Sequence, residues 1–469
     1  MTAYEVDVVV IGAGLSGLSA AKAIQSANLS CAVLEAMDRV GGRVYSVPTS
    51  SHGAPVDLGA AWISNTSQPL AFNLAKKYGL ELKEQRGTGS DLFQSRDGTV
   101  ISSPHGQGGL PEKHLEGLGQ FFSSIEEMVA QVDPQKPYEA KNASVLDSQT
   151  LLDLAEKQPD PYAAAIAARL IAESSFGVEA NAVSVLYLAD YARKAGSLSA
   201  LMSDTEGGAQ HLRIRQGCQA LAVGLSKELL PGTVRLSCPV SKLAQVSPSR
   251  CEVVTANQLV FRCKKVILSV PFANYGSIQF EPVLEPRKQH LINNSTIGYY
   301  SKVILVFGHP WWAEAGLSGN AFSENGPVRY TFDTSFEDDG QFSLTCFLTG
   351  GSGALWSLLT PAERRVRVIR HVQSLFASSV GQVPEPIRVI EMEWTKNPWV
   401  RGGPNALLGP GSIVSDFYRA LRLPDGNIHF VGSETSLTWR GFMEGALSSG
   451  ERGAQEVIML LSGNPSFRL

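Results

Sequence analysis

Six residues near the N-terminus, Gly12-Ala13-Gly14-Leu15-Ser16-Gly17, place three glycines at the spacing G-x-G-x-x-G between a β-branched run and a helix-like one. In that setting Gly12 permits a sharp turn, Gly14 lets a pyrophosphate approach the backbone, and Gly17 lets helix and strand pack closely. The free N–H groups at the helix start face the anion. A second apolar run, Ala32-Val33-Leu34, ends at Glu35, whose carboxylate can accept hydrogen bonds from a ribose diol. Strand, turn, helix, strand and acid in this order predict dinucleotide binding. A few residues on, Gly41 and Gly42 remove side chains beside the pyrophosphate, and Arg43 can donate a charge-assisted bond to phosphate. Nicotinamide enzymes have no regular use for this second cradle.

Lys302 lies in Ser301-Lys302-Val303-Ile304-Leu305-Val306-Phe307, a run otherwise almost wholly apolar. An ammonium there is costly unless a partner or ordered water receives it, so it is either functional or a strand-end side chain reaching for solvent. Near the C-terminus, Gly432-Ser433-Glu434-Thr435 and Trp439-Arg440-Gly441-Phe442-Met443-Glu444-Gly445-Ala446 again set glycines between a strand-like and a helix-like run. A packing helix explains Val457, Ile458 and Leu461 but not Gly441 and Gly445. Ser, His and Cys form no nucleophile constellation, and the six cysteines have no C-x-x-C pair and no metal-ligand spacing with histidine. No metal is expected, and a reduced compartment fits.

The elements that must hold these residues are legible in outline. Val6 and residues 8–11 read as a parallel strand buried on both faces, and residues 18–24 as a helix. Residues 233–240, 251–254 and 265–271 read as short strands, residues 151–155, 162–172 and 361–377 as helices, and residues 303–307 as a strand. Trp311 and Trp312, following Pro310, fit the core better than a cavity wall. The chain of 469 residues, with 18% charged and 43% hydrophobic residues and a formal charge of −4, describes a folded protein without a basic stripe, which argues against nucleic acid as a partner. Residues 1–10 lack the pattern of a signal peptide, and no run of apolar residues is long enough to span a bilayer, so an intracellular, cytoplasmic protein is expected. The terminal Phe467-Arg468-Leu469 is similar to the peroxisomal Ser-Lys-Leu address, with a bulky Phe where a small residue belongs.

The run from Val8 to Arg43, the Val56-Asp57-Leu58-Gly59-Ala60-Ala61-Trp62 stretch and the C-terminal glycine segments closely resemble the flavin-containing amine oxidase family. The monoamine oxidase branch with its soluble fungal members is most similar, and long-chain aliphatic amines of the fumonisin type are the suspected substrates. The resemblance implies FAD held by Gly12, Gly14, Leu15, Ser16, Gly17, Glu35, Ala36, Gly41, Gly42, Arg43, Gly59, Ala60, Ala61, Trp62, Val240, Trp394, Gly432, Ser433, Glu434, Gly441, Phe442 and Met443. Glu434 would meet the ribose or ribityl region, and the backbone near Met443 the N1–C2 carbonyl edge. Lys302 would be the catalytic lysine, bonded through water to flavin N5. Gln210, Asn405 and Phe442 would meet the substrate, the last two at positions where the family often has a pair of tyrosines. Pro404 stands where mammalian monoamine oxidases carry the cysteine that bonds the flavin, so noncovalent FAD is expected.

The fold implied is α/β and α+β, with a discontinuous Rossmann-like FAD-binding domain from residues 1–83, 214–292 and 399–463. A substrate domain of mixed sheet and helices would come from residues 84–213 and 293–398, followed by a C-terminal tail at 464–469. The reaction implied is oxidation of a primary or secondary amine by hydride transfer to N5, with O2 as acceptor, giving aldehyde, ammonia and hydrogen peroxide. Amine and O2 are the expected small-molecule partners, and a homodimer is the expected assembly. A polyamine or L-amino-acid oxidase, with Arg401 or Arg440 meeting a substrate carboxylate, is the alternative; a flavin-bearing scaffold is a more remote one.

Overall fold

The computed structural model describes residues 3–49, 53–107 and 109–462, so the Phe467-Arg468-Leu469 address and the proposed tail lie outside the described residues. Val8–Ile11 is buried at every position, as a strand covered on both faces must be. It sits at the centre of a five-stranded parallel sheet with the order Val234–Arg235, Cys31–Leu34, Val8–Ile11, Lys265–Leu268, Ile428–Phe430. One sheet therefore gathers strands from both ends of the chain and from its middle. One face, through Val8, Val10 and Val33, packs on the helices Leu15–Ser26, Gln219–Glu228 and Met443–Leu461. The other, through Val9, Ile11 and Leu34, packs toward Leu243, Val253 and Phe261 of a second five-stranded sheet.

The N-terminal run is divided more finely than its composition suggests. Ala3–Glu5 pairs with Val260–Cys263 in the second sheet, and the chain then crosses at Val6 and Asp7 into the parallel sheet. Residues 233–240 are likewise split: Val234–Arg235 joins the parallel sheet and Val240–Ser247 the second, with Ser237 at φ 51° between them. β-Propensity reports a strand but not its sheet, which is decided by the tertiary partners.

A seven-stranded sheet joins the regions between. Its order is Arg388–Glu393, Tyr300–Phe307, Phe342–Thr349, Tyr330–Asp333, Leu317–Ser323, Ser90–Gln94, Val100–Pro104, so strands from residues 84–213 and 293–398 share one ladder. On Tyr300–Phe307, Val303, Leu305 and Phe307 face the core shared with the helix Pro361–Val380, while Ile304 and Val306 pack on Val56 and Leu58. That helix opens on a capping box between Thr360 and Glu363 and closes at Gly381, φ 72°, three residues beyond the sequence reading. Trp311 and Trp312 are buried in its core. The helices Leu115–Ala130, Pro161–Phe176 and Val185–Lys194 complete the assembly. Among the described residues no helix is long and apolar enough to cross a membrane.

Candidate active site

Two helices begin without a side-chain cap. Leu15–Ser26 starts after Gly14 and Met443–Leu461 after Phe442, both preceding residues extended, so their first-turn N–H groups are left for another acceptor. Gly450 brings the two helices into contact, because a Cβ there would lie 2.2 Å from the Ser16 carbonyl oxygen, and Ser19 Oγ donates to the Leu447 carbonyl at 3.2 Å. Their N-terminal residues line one cavity of about 920 Å³ that also reaches the seven-stranded sheet and the helical layer.

At one part of this cavity lies a cradle for a dinucleotide. Gly12 turns at φ 102°, and a Cβ on Gly17 would fall 2.0 Å from the Gly12 carbonyl oxygen, so Gly17 serves packing and does not line the cavity. A Cβ on Gly14 would meet nothing within 4 Å, which leaves its open side for a ligand. Gly41 N–H donates to the Ala13 carbonyl at 2.9 Å, tying the second glycine loop to the first. Glu35 accepts from Ala13 N–H at 2.6 Å and Met37 N–H at 2.8 Å, and burial holds its carboxyl above the usual range. Leu15, Ser16, Ala36, Gly42, Gly59, Ala60, Ala61, Trp62, Val240, Gly432, Ser433, Gly441 and Met443 share the same lining. Glycine backbone, uncapped helix starts and an acid at the strand end fit FAD.

Arg43 departs from the sequence expectation of a phosphate contact. Its guanidinium makes a bidentate pair with Glu434, at 2.5 and 2.9 Å, and also donates to the Pro404 carbonyl at 2.9 Å. In a low-dielectric wall a carboxylate is the strongest partner available to it. Burial raises the Glu434 pKa but Arg43 outweighs it, so the carboxyl lies below its usual range and stays ionised.

Lys302 is buried and points into the cavity, where Nζ donates to the carbonyls of Asp57 at 3.1 Å and Gly59 at 2.5 Å. An ammonium has three N–H groups, so one remains for the cavity. Burial pushes its pKa down to about 8 against the opposing pull of Asp57. Trp394 donates to the Leu58 carbonyl at 3.0 Å and lines the same wall.

Of the residues expected to meet the substrate, Phe442 and Gln210 line the cavity and Asn405 does not. Asn405 is 1% exposed, and its amide donates to the Ser175 carbonyl at 3.2 Å and to Tyr191 Oη at 3.3 Å. A short polar side chain in a buried turn is drawn to the nearest acceptors rather than to the cavity. Tyr191, which it holds, lines the cavity instead, its ring centre 6.2 Å from that of Phe442. Tyr300 and Tyr330, hydroxyls 2.5 Å apart, together with Phe332 and Phe347, add further aromatic wall. Sequence gave no separate signal for these residues, because an aromatic at a core-facing position reads the same whether it meets a cavity or another side chain. The helical layer supplies an apolar arm through Leu110, Leu115, Leu118, Phe122, Ile166 and Leu170. Arg401 and Arg440 both stand outside the lining, and so does every cysteine. Among the described residues no His, Cys, Asp and Glu group is placed to hold a metal ion.

Comparison with known proteins agrees with this architecture. The family model described as flavin containing amine oxidoreductase matches residues 15–458. A probable flavin-containing monoamine oxidase A of Dictyostelium discoideum is 30% identical over 96% of this chain and 97% of its own length. A flavin-containing amine oxidase of Danio rerio is 30% identical over 98% of this chain and 87% of its own. Among solved structures, a putrescine oxidase bound to putrescine and the cyclohexylamine oxidase of Brevibacterium oxydans IH-35A each superpose with a TM-score of 0.89 at 27% identity. Both cover 97% of this chain, and the match takes in 100% and 99% of those chains respectively.

Proposed function

The chain belongs to the flavin-containing amine oxidoreductases and is an FAD enzyme acting on amines, and from that premise we propose that it oxidises primary amines carrying a long apolar chain. The observation that carries the reading is the shape of the wall. Tyr191 and Phe442 present two aromatic faces for the amino group, and the arm from Leu110 to Leu170 offers apolar surface for the rest of the molecule. When bound, FAD supplies the oxidant: it takes a hydride equivalent from the α-carbon and passes two electrons to O2 as hydrogen peroxide, leaving an imine that water hydrolyses to aldehyde and ammonia.

The chain's own residues bind, orient and tune. Gly12, Gly14, Gly41 and Gly42 admit the pyrophosphate, Glu35 accepts the ribose hydroxyls, and the uncapped start of Met443–Leu461 stabilises negative charge at the ring. Lys302 directs its remaining N–H into the cavity beside Trp62 and Phe347, with Nζ 5.3 and 5.1 Å from their ring centres. It is the group suited to stabilise charge that builds on oxygen. The absence of any cysteine from the lining, with Pro404 in the wall, supports FAD held without a covalent bond. Denaturation in acid should then release all yellow colour into the supernatant.

An amino-acid substrate would need a cation for its carboxylate, and neither Arg401 nor Arg440 lines the cavity. A diamine has one observation in its favour, the carboxylates of Asp91 and Asp204 in the lining, although both are engaged by His105. Anaerobic mixing with alkyl amines, diamines and amino acids, read as loss of oxidised-flavin absorbance, separates the three. Bleaching by long alkyl amines is expected; bleaching by amino acids alone overturns the proposal.

A further inference from the structure

Arg440 precedes the Gly441-Phe442 turn but stands behind the cavity wall. Its side chain is 3% exposed, and its guanidinium carbon lies 4.6 Å from the Tyr187 ring centre and 5.6 Å from that of Tyr191, whose ring lines the cavity. Nη1 donates to Asp190 Oδ2 at 2.8 Å and to Tyr418 Oη at 3.0 Å, while Nε and Nη2 have no partner.

Asp190 is shared. The Lys194 ammonium bonds its Oδ1 and also donates to Tyr418 Oη at 3.0 Å, and Tyr418 donates to Asp190 Oδ2 at 2.8 Å. Two buried cations thus share one carboxylate. Arg422, just beyond the helix Asp416–Ala420, adds positive potential at Lys194. The carboxylate of Glu434, which faces Tyr187 and Tyr191 from the other side, is already matched by Arg43. Burial lowers the Lys194 pKa to about 8, so below that pH the set holds an unmatched positive charge.

We propose that Arg440 is a positioning residue that keeps the bound amine neutral, its charge behind Tyr191 disfavouring an ammonium between Tyr191 and Phe442. This rests on the amine-oxidation reading above. Oxidation at the α-carbon needs the nitrogen lone pair, and a nearby buried cation lowers the pKa of a neighbouring amine. The charge acts through the aromatic wall and touches no reacting atom.

The test is anaerobic reduction of the holoenzyme by a primary alkyl amine, with the limiting rate followed across pH. In Arg440→Gln, Lys194 still matches Asp190, and the acid limb of the rate should move to higher pH by about one unit, with a similar rate at high pH. Arg440→Lys should restore the original limb. Lys194→Met, which leaves Arg440 paired with Asp190, should move the limb in the same direction and serves if the first variant does not hold flavin. An unmoved limb in Arg440→Gln, or a uniform fall at every pH shared by Arg440→Lys, overturns the role of Arg440. Failure of every amine to reduce the wild-type flavin instead sinks the amine reading and this inference with it.

Discussion

Lys302 shows how a single residue can be conspicuous in sequence and still gain meaning only from its surroundings. Its charge in an apolar strand was legible, but the carbonyls of Asp57 and Gly59 that receive two of its protons come from a stretch some 245 residues away. Because burial brings its pKa to about 8, the ammonium is present below that pH and lost above it. Reoxidation by O2 should therefore slow as pH rises through about 8. Lys302→Met should slow it by about tenfold or more at neutral pH and remove that dependence, with reduction by amine nearly unchanged, as stopped-flow mixing with O2 can read. Glu35 was legible by type and position together, since an acid ending the second strand has few structural uses. Glu35→Ala removes the acceptor for two backbone N–H groups and for the ribose, and FAD affinity should fall by about 10- to 100-fold in a flavin-release titration. Asn405 was misread because a motif position states where a Cα lies, not which way its amide turns.

Among the elements, the crossing of Leu15–Ser26 with Met443–Leu461 joins the two glycine-bearing ends of the chain. Gly450 has no room for a side chain, since its added Cβ would lie 2.2 Å from backbone oxygen. Gly450→Val must spread the helices, costing about 1–3 kcal/mol in thermal or urea unfolding and weakening flavin retention; an unchanged Tm would refute this packing account. A different link closes the helical side of the cavity. His105, after the strand Val100–Pro104, bonds Asp204 at 3.2 Å and Asp91 at 2.9 Å. Those two carboxylates raise its pKa from 6.5 to about 10. A raised histidine stabilises the fold fully below pH 6.5 and loses that contribution as pH climbs through about 10. The Tm gap between wild type and His105→Gln should be widest in acid and vanish above about pH 10. Periodicity could predict both the strand and the helix here, but not the ion pairs between them, which depend on a sheet order that no local pattern encodes.

For the whole molecule, the cavity exists because the chain passes repeatedly between two kinds of layer. The parallel sheet gathers three distant segments at the cofactor, and the seven-stranded ladder carries Lys302 across to the helices that supply the apolar arm. The cofactor half was readable because phosphate binding constrains glycines in a local motif. The substrate half was not, since Tyr191, Ile166 and Leu170 differ from core residues only in facing open space. That half sets an expectation for specificity. If the arm from Leu110 to Leu170 receives the alkyl chain, each methylene added to an n-alkylamine contributes about 0.8 kcal/mol, and kcat/KM should rise about fourfold per carbon until the arm is filled. Ile166→Trp, which shortens the arm from its helix without touching Lys302, Tyr191 or Phe442, should bring the plateau to shorter amines while leaving their rates in place. A series flat from the shortest amine, or an Ile166→Trp variant that loses all amines equally, would mean that the arm does not hold the chain and that specificity is set at the Tyr191–Phe442 pair alone.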